Sequence, residues 1–425
     1  MLNRFINYFK RTEVVQHASV LVVGTIIAQA IPILLQPFLR RFFTPESFGL
    51  YSVYNSIIGI LMVVACFRFE QAIVLPKRDS DASAIAIASL SFSLIFSAIL
   101  FLAILLLRSK LLTLINLPEE KGYIIFLVPV GTFLLSAFQV FNYWLIRKKG
   151  FVPIAANKFA RRVVEGVTQS AFALVGYSKG LIYGDIAGQV ANFTVSLWQS
   201  GKKGFSVENI NFVRLKHLLL KYSDFPKYNL IPSLLSAASF LLPVIFINKY
   251  FTAEQAGYFD LTKLILSVPL ALIAGSFSSV VLNRASEGFK ANELFSYELK
   301  PLLFMALAIV FFEIVVISIW GETLFIFVFG KDWAQSGQIA KMLVWPFALN
   351  FITSSFTSIF IALNRIVWQS IWQVFYFILI LSLTFFSHLN FESFIALYTL
   401  FEVLANISML ILLVVVIKKY EKKLT

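Results

Sequence analysis

The chain has 425 residues, of which 59% are hydrophobic and 14% are charged, and its formal net charge is +14. Soluble domains contain roughly 25% charged residues, so a water-soluble fold would leave most of this apolar surface with nothing to bury against it. The composition excludes an ordinary soluble domain and favours a protein that crosses the membrane several times.

Long apolar stretches separated by short loops follow one another along the chain. A helix needs about 20 mostly apolar residues to cross the hydrocarbon core, and each span must satisfy its own backbone polar groups. We therefore predict an all-α polytopic membrane protein with about twelve transmembrane helices. The predicted spans are 16–38, 48–67, 82–107, 122–146, 152–176, 180–199, 229–249, 256–282, 301–320, 338–361, 366–386 and 391–417.

Lysine and arginine residues concentrate in every second loop of this arrangement. Because loops rich in these residues stay in the cytoplasm, we predict that both termini are cytoplasmic. The same bias accounts for the basic net charge. Loops that flank spans meet anionic lipid headgroups, so membrane lipids are expected partners and nucleic acid is not.

Two segments share the pattern F-T-x-E-x-x-G-[LY]-[YF], one at residues 43–51 after the first predicted span and one at 251–259 after the seventh. This repeat predicts two six-helix lobes, 1–200 and 229–425, joined by a basic cytoplasmic linker at 201–228. Repeats with an even number of spans enter the membrane in the same sense. Two parallel lobes around a central cavity are typical of a transporter that works by alternating access.

The fifth predicted span carries a charged stripe. Lys158, Arg161, Arg162 and Glu165 have the spacing i, i+3, i+4, i+7, which places them on one helical face. Ionisable side chains inside a membrane are costly unless they face water or a partner, so the stripe predicts substrate contacts that line a wet cavity. The alternative is that Lys158 and Arg161 reach back to the headgroups.

Other polar positions extend this predicted substrate site. They are Asp185, Gln189 and Asn192 on one face of the sixth span, Arg68 at the end of the second, and Lys263 in the eighth. Hydrogen bonds between helices would also account for the uncharged members. Arg68 and Glu70, like Lys263 and Asp260, could simply neutralise each other.

Glu313 and Glu402 lie near the middle of the ninth and twelfth spans. A carboxylate at this depth suits a carrier coupled to H⁺ or Na⁺, because binding the cation removes the charge before the helix repacks. Structural pairing with a lysine or a water is the alternative. Pro32 and Pro232 interrupt helices near corresponding places in the two halves and are predicted gating positions, although proline is also common in membrane helices for packing reasons.

No known catalytic motif accounts for the chain. The phosphate-binding loop G-x-x-x-x-G-K-[ST] is missing, and the three histidines have no metal-ligand spacing. Asp79-Ser80-Asp81 matches the short D-x-D pattern of metal-dependent glycosyltransferases, which keeps a membrane glycosyltransferase or polymerase as a weak alternative. We expect a transporter that is not an enzyme and that uses no metal and no cofactor, apart from a coupling ion.

Three segments resemble the blocks of a known family: 43–51, then Arg68-Phe69-Glu70-Gln71-Ala72-Ile73-Val74-Leu75-Pro76, then 324–333. They are similar to those of bacterial polysaccharide flippases of the Wzx type, in the multidrug/oligosaccharidyl-lipid/polysaccharide exporter superfamily. The resemblance extends over essentially the whole chain, and its most specific block is R-[FY]-E-x-A-I-x-L-P.

This resemblance implies movement of a polyprenyl-pyrophosphate-linked oligosaccharide from the cytoplasmic to the outer leaflet of the bacterial inner membrane, for O-antigen or capsule synthesis. Lys158, Arg161, Arg162 and Arg68 fit its cationic cavity by position and charge. Other polysaccharide-assembly proteins are implied as partners. A multidrug exporter of the same superfamily is the runner-up, although the basic fifth span disfavours a carrier of cations.

Overall fold

The computed structural model describes residues 29–207, 212–422 and 424. Within these ranges the chain is helical with short turns and contains no β-strand, which confirms the predicted all-α fold. The helices are α1 (29–42), α2 (Pro45–Ala65), α3 (Asp79–Leu114), α4 (Tyr123–Arg147), α5 (Phe151–Leu174), α6 (Gly180–Lys202), α7 (Phe212–Lys221), α8 (Leu230–Tyr250), α9 (Ala253–Ala291), α10 (Ser296–Phe329), α11 (Ala334–Phe356), α12 (Ser358–Ala362), α13 (Ile366–Ser382) and α14 (Phe391–Glu421).

Nine helices among the described residues are long and apolar enough to cross a membrane. The chain is therefore a multi-pass membrane protein. Helices α5 and α6 are not among the nine, although predicted spans coincide with them, and residues 16–28 of the first predicted span lie outside the described residues. The number twelve stays a prediction.

Several helices are longer than the spans predicted for them. Helix α9 has 39 residues and α10 has 34, and at 1.5 Å per residue the first is roughly 58 Å long, against a hydrocarbon core of about 30 Å. Hydropathy locates only the part of a helix that lies in lipid. A helix continues into water at no extra cost in backbone hydrogen bonds, so the predicted boundaries fall short.

The described chain forms two compact units. Among the described residues, the first contains 29–43, 53–207 and 212–237, and the second contains Thr44–Ser52, 238–422 and 424. The division falls inside α8, and the start of α2 belongs to the second unit.

In the first unit, α5 and α6 pack closely along their length. A Cβ atom at Gly188 would lie 2.8 Å from Cβ of Glu165 and 3.0 Å from the carbonyl oxygen of Arg161, and one at Gly184 would lie 3.1 Å from the backbone nitrogen of Gln169. Small residues permit this approach of two membrane helices. The contact brings the polar face of each helix against the other.

In the second unit, the two copies of the sequence repeat contact each other. A Cβ atom at Gly49 would lie 2.6 Å from the carbonyl carbon of Ala253, and one at Gly257 would lie 2.8 Å from that of Pro45. Gly257 is the repeat counterpart of Gly49, and Ala253 is that of Pro45. The two helix starts therefore cross at equivalent residues with their backbones in contact.

A hydrogen bond joins α2 and α9 close to this crossing. Ser52 Oγ donates to Asp260 Oδ1 at 2.7 Å, and these two residues are 208 positions apart, the offset of the repeat. The ring of Trp333, which is fully buried, lies edge-on to Phe48 at 5.5 Å between centroids and to Tyr258 at 6.0 Å. The F-T-x-E-x-x-G pattern thus encodes a helix start shaped for close packing.

Candidate functional site

The charged stripe of α5 lies against α6 in the first unit. Arg161 Nη2 is 3.2 Å from Asp185 Oδ1, and Arg162 Nη1 is 2.9 Å from Glu165 Oε2. Gln189 Nε2 donates to the other oxygen of Asp185 at 2.5 Å. Asp185 is buried, with 1% of its surface exposed. Four of the predicted substrate residues therefore belong to one network of ion pairs and hydrogen bonds.

This network changes the charge of the stripe. On sequence grounds the stripe has two more positive than negative charges, but Asp185 adds a second carboxylate beside Glu165. Counted over Lys158, Arg161, Arg162, Glu165 and Asp185, one net positive charge remains, and Lys158 is half-buried. Of the two arginines, Arg162 keeps more of its side chain accessible, 31% against 19% for Arg161. Arg162 is therefore the guanidinium better placed to meet a ligand.

Uncharged groups continue the polar face of α6. The contacts of Gly184 with Gln169 and of Gly188 with Glu165 set an antiparallel register, and extending it by one turn places Asn192 opposite Arg161. Asn192 Oδ1 is buried without a hydrogen-bond partner within the described chain. Gln189 and Asn192 therefore lie in a contact between helices, which was the alternative to a substrate contact. Each also keeps one side-chain oxygen that accepts no hydrogen bond within the described chain.

Arg68 directly precedes a short 3₁₀ segment, Phe69–Val74, that follows α2. Its backbone is in the left-handed region, with φ of 64°, and its Nη1 lies 3.5 Å from Glu70 Oε1. The structure thus pairs the two residues whose mutual neutralisation the sequence left open. The side chain of Arg68 is 19% exposed.

Arg147 at the end of α4 organises the same segment, a role that the sequence did not indicate. Its Nη1 donates to the carbonyl oxygen of Pro76 at 2.6 Å and lies 3.4 Å from those of Ile73 and Val74, while its Nε contacts Asp79 Oδ1 at 3.0 Å. Residues 68–76, the most specific block of the family resemblance, therefore form a folded segment that the guanidinium of Arg147 holds through its carbonyl oxygens. Nothing in local sequence links residues about 70 positions apart.

The D-x-D pattern is engaged in ion pairs at the start of α3. Asp79 binds Arg147 and Lys148, and Asp81 Oδ1 lies 2.5 Å from Nη2 of Arg214 on α7. Both carboxylates have cationic partners from the protein itself. In the part of the chain that the structure describes, no group of three or more His, Cys, Asp or Glu side chains could hold a metal ion.

The second unit buries two of the predicted charged residues, each with its own hydrogen-bond partners. Lys263 on α9 is 7% exposed, and its Nζ donates to the carbonyl oxygen of Phe240 on α8. Glu402 on α14 is 8% exposed and accepts a 2.6 Å hydrogen bond from the Tyr376 hydroxyl of α13. Asn406 donates to the carbonyl oxygen of Glu402. Tyr376 was not predicted, because it is 26 positions from its partner and carries no charge.

The remaining predicted positions are Glu313, Pro32 and Pro232. Glu313 on α10 has one carboxylate oxygen, Oε2, buried without a hydrogen-bond partner within the described chain. Pro32 lies within α1, and Pro232 lies two residues into α8, directly after a π-helical turn at Phe225–Asn229. Such turns often occur at functional bends in helices.

Solved structures similar to this chain include two transporters and a flippase. A multidrug resistance MATE family transporter of the MOP superfamily, in an inward-facing conformation, matches with a TM-score of 0.72 at 15% identity, over 93% of this chain and 99% of its own. The lipid II flippase MurJ, in an inward closed conformation, matches with a TM-score of 0.71 at 13% identity, over 95% of this chain and 90% of its own.

A MOP superfamily transporter from Pyrococcus furiosus also matches, with a TM-score of 0.60 at 15% identity, over 95% of this chain and 96% of its own. At such identities the likeness shows the fold alone. The fold is that of the MOP superfamily transporters. No curated protein sequence matches the chain significantly.

A family model described as polysaccharide biosynthesis protein matches residues 38–338. The match covers well over half of the chain, so this protein belongs to the polysaccharide biosynthesis family. Family and fold together agree with the resemblance to Wzx-type flippases, and they support a flippase or exporter of the MOP superfamily.

Proposed function

We propose that this protein is a flippase that moves a polyprenyl-pyrophosphate-linked oligosaccharide from the cytoplasmic to the outer leaflet of the bacterial inner membrane. It does so by alternating access, with both termini in the cytoplasm, and it serves the synthesis of a surface polysaccharide such as O-antigen or capsule. It acts as a carrier and catalyses no bond formation. Membership of the polysaccharide biosynthesis family and the MOP fold support this proposal.

The observation that carries the proposal is the partly accessible cationic face of α5. A pyrophosphate and a set of sugar hydroxyls cannot cross lipid unaided, since each polar group that loses its hydrogen bonds costs a few kcal/mol. Arg162 and Lys158 retain accessible surface on this face, and Glu165 holds Arg162 in place. Arginine presents a planar fork that fits phosphate oxygens, so we assign the pyrophosphate to Arg162 and Lys158.

The surrounding network positions these cations. Arg161 is fixed between Asp185 and Glu165, with Nε 3.9 Å from the latter, and its charge is largely committed to them. We assign sugar hydroxyls to Asn192 and Gln189, whose buried oxygens have no hydrogen-bond donor within the described chain and become accessible when α5 and α6 move apart. Binding by a few mixed groups stays weak enough for release on the other side.

The test is charge reversal at Arg162 in cells that lack the native gene. We expect Arg162→Glu to insert normally, to abolish surface polysaccharide and to leave lipid-linked units on the cytoplasmic face. The matched control is Arg284→Glu, because Arg284 forms the same i, i+3 pair with Glu287 at 3.3 Å on an exposed surface of the second unit. Normal surface polymer in the Arg162 variant would refute the assignment.

The same cells separate the competing functions. A multidrug exporter, which the likeness to the MATE transporter favours as second candidate, predicts drug sensitivity on deletion with unchanged surface polymer. A polymerase or glycosyltransferase predicts single lipid-linked units that reach the outer face but are not extended. The flippase predicts neither result.

We infer that transport is coupled to a transmembrane gradient of a cation that binds at Glu402, with Glu313 as the further candidate. Glu402 is enclosed in the second unit and has a hydroxyl donor. A carboxylate in that position changes charge when a cation binds, which alters the cost of burying it. Bending at Pro32 and Pro232 is the proposed gating movement.

A further inference from the structure

The second unit contains a cavity of about 610 Å³ where the last turns of α14 meet the first turn of α13. This volume is in the range of small-molecule sites, roughly 300–1,000 Å³. Its polar wall carries Arg365 and Lys419, with Asn292 and the rings of Trp368 and Tyr420 beside them. Leucine and valine side chains form much of the remaining wall. The cavity therefore has a cationic part and an apolar part.

Contacts between helices hold these walls in place. Trp372 Nε1 on α13 donates to the carbonyl oxygen of Ala405 on α14 at 2.9 Å. The two helices run antiparallel, so Arg365, two turns before Trp372, lies toward the end of α14. On the other side of the cavity, the hydroxyl of Tyr420 donates to the carbonyl oxygen of Gly288 on α9 at 3.0 Å. The end of α14 is therefore fixed between α13 and α9.

The two cations of the cavity are uncompensated. Among the residues that the structure describes, the side chains of Arg365 and Lys419 have neither an ion-pair partner nor a hydrogen-bond acceptor, and no Asp or Glu lines the cavity. The carboxylate of Glu421 accepts a hydrogen bond from the backbone nitrogen of Ser296 instead. A cleft whose charges all have one sign attracts the opposite charge, and the fork of an arginine fits phosphate oxygens.

The cavity lies at the level of the lipid headgroups. Arg365 directly precedes the candidate span Ile366–Phe386, and Lys419 lies in the last turn of the candidate span Phe391–Glu421. Trp and Tyr, both present in the wall, are enriched at this boundary of the membrane. Helix α13 also exposes the apolar side chain of Val367 beside the cavity. An occupant can therefore keep its charged head in the cavity and its chains in lipid.

We propose that this cavity binds the headgroup of an anionic phospholipid, with Arg365 and Lys419 as the ligands of its phosphate. Basic pockets between membrane helices are typical sites for such headgroups. The lipid belongs to the leaflet at the end of the membrane that carries the C-terminus, which is the cytoplasmic leaflet in the proposed orientation. Its phosphate joins the start of α13 to the end of α14, and so it stabilises the second unit.

The test is thermal melting of the purified full-length protein, stripped of native lipid in a neutral detergent, at about 0.15 M salt. We expect phosphatidylglycerol to stabilise the wild type saturably. Phosphatidylcholine should not, because its choline offsets the phosphate charge, and inorganic phosphate should not, because it leaves the apolar wall without contacts. In the double variant Arg365→Gln, Lys419→Gln, the phosphatidylglycerol concentration that gives half of the shift should rise at least about tenfold.

The matched control is the double variant Lys418→Gln, Lys422→Gln. It removes the same number of charges at the same end of α14, and neither lysine lines the cavity, so its response to phosphatidylglycerol should equal that of the wild type. An equal loss in this control would overturn the proposal, because the effect would then be one of general surface charge.

Three results with the wild type would also overturn the proposal. They are equal stabilisation by phosphatidylcholine, equal stabilisation by inorganic phosphate, which would indicate a site for free anions, and stabilisation by polyprenyl pyrophosphate at lower concentration than phosphatidylglycerol, which would indicate a substrate site. If the variant of Arg365 and Lys419 does not fold, native mass spectrometry of the wild type decides. One phosphatidylglycerol retained per chain, under conditions that remove phosphatidylcholine, supports the proposal, and none retained overturns it.

These measurements use no oligosaccharide substrate. Their failure leaves the flippase assignment standing, since Arg162 lies in the first unit. Conversely, normal surface polysaccharide in the Arg162→Glu cells would leave the phospholipid site untouched.

Discussion

Adding one methyl group at the repeat crossing should destabilise the protein more than the same change elsewhere on the same helix. In Gly257→Ala, the new Cβ would lie 2.8 Å from the carbonyl carbon of Pro45, nearer still to its oxygen, and 3.1 Å from the backbone nitrogen of Gly49. Ordinary contacts are 3.4–4 Å. Because the opposing atoms are backbone, no side chain can rotate away, and the two helix starts must separate by on the order of 1 Å.

Overpacking of this kind costs roughly 1–3 kcal/mol. Part of the cost is offset, since alanine is a better helix former than glycine by about 1 kcal/mol. A control variant separates the gain in helix propensity from the cost of overpacking. Gly275 lies on the same helix, and a Cβ atom added there would have no neighbouring atom within 4 Å, so Gly275→Ala should show only the gain in helix propensity.

The assay is thermal melting of the purified variants in one detergent. We expect Gly257→Ala and its repeat counterpart Gly49→Ala to melt below the wild type, and Gly275→Ala to melt at or above it. The double variant should lose less than the sum of the two, because both methyl groups force apart the same contact. Equal melting temperatures for Gly257→Ala and Gly275→Ala would refute the close crossing.

Three further changes have expected outcomes. Trp333→Ala removes a fully buried ring and should cost about 3–5 kcal/mol in unfolding free energy, whereas Trp345→Ala, at a ring 53% exposed, should cost far less in the same melting assay. Arg147→Met leaves the carbonyl oxygens of residues 73, 74, 76 and 77 without this donor and leaves Asp79 with Lys148 alone, so it should cost about 1–3 kcal/mol, with faster proteolysis at residues 73–79 as the local readout. Tyr376→Phe removes the hydroxyl donor of Glu402 and should cost about 1–3 kcal/mol; melting unchanged from the wild type would contradict that hydrogen bond.

Hydropathy and charge patterns were sufficient to predict the helical class and the approximate position of most spans, because the lipid environment imposes a strong and local requirement on each segment. Helix ends were less predictable. Helix α10 continues to Phe329, and α11 begins at Ala334, so the helix of the tenth predicted span starts four residues before the predicted boundary. Polar residues outside the lipid are solvated equally well in a helix and in a loop, so hydropathy does not show where a helix ends.

The spacing on α5 correctly placed charges on one face, since helical periodicity is a property of the segment itself. It could not show that Asp185 neutralises part of that face, because the partner is on another helix and the pairing depends on how closely glycines at 184 and 188 let the two approach.

The sequence alone determined that this is a helical membrane protein with a repeated segment, and it identified Arg162, Lys263 and Glu402 as charges within predicted spans. Only the tertiary structure decided which of those charges remain accessible and which are compensated within a unit. The physical reason is that burial in lipid constrains each helix separately, whereas the partner of a charge is set by packing between helices far apart in the chain.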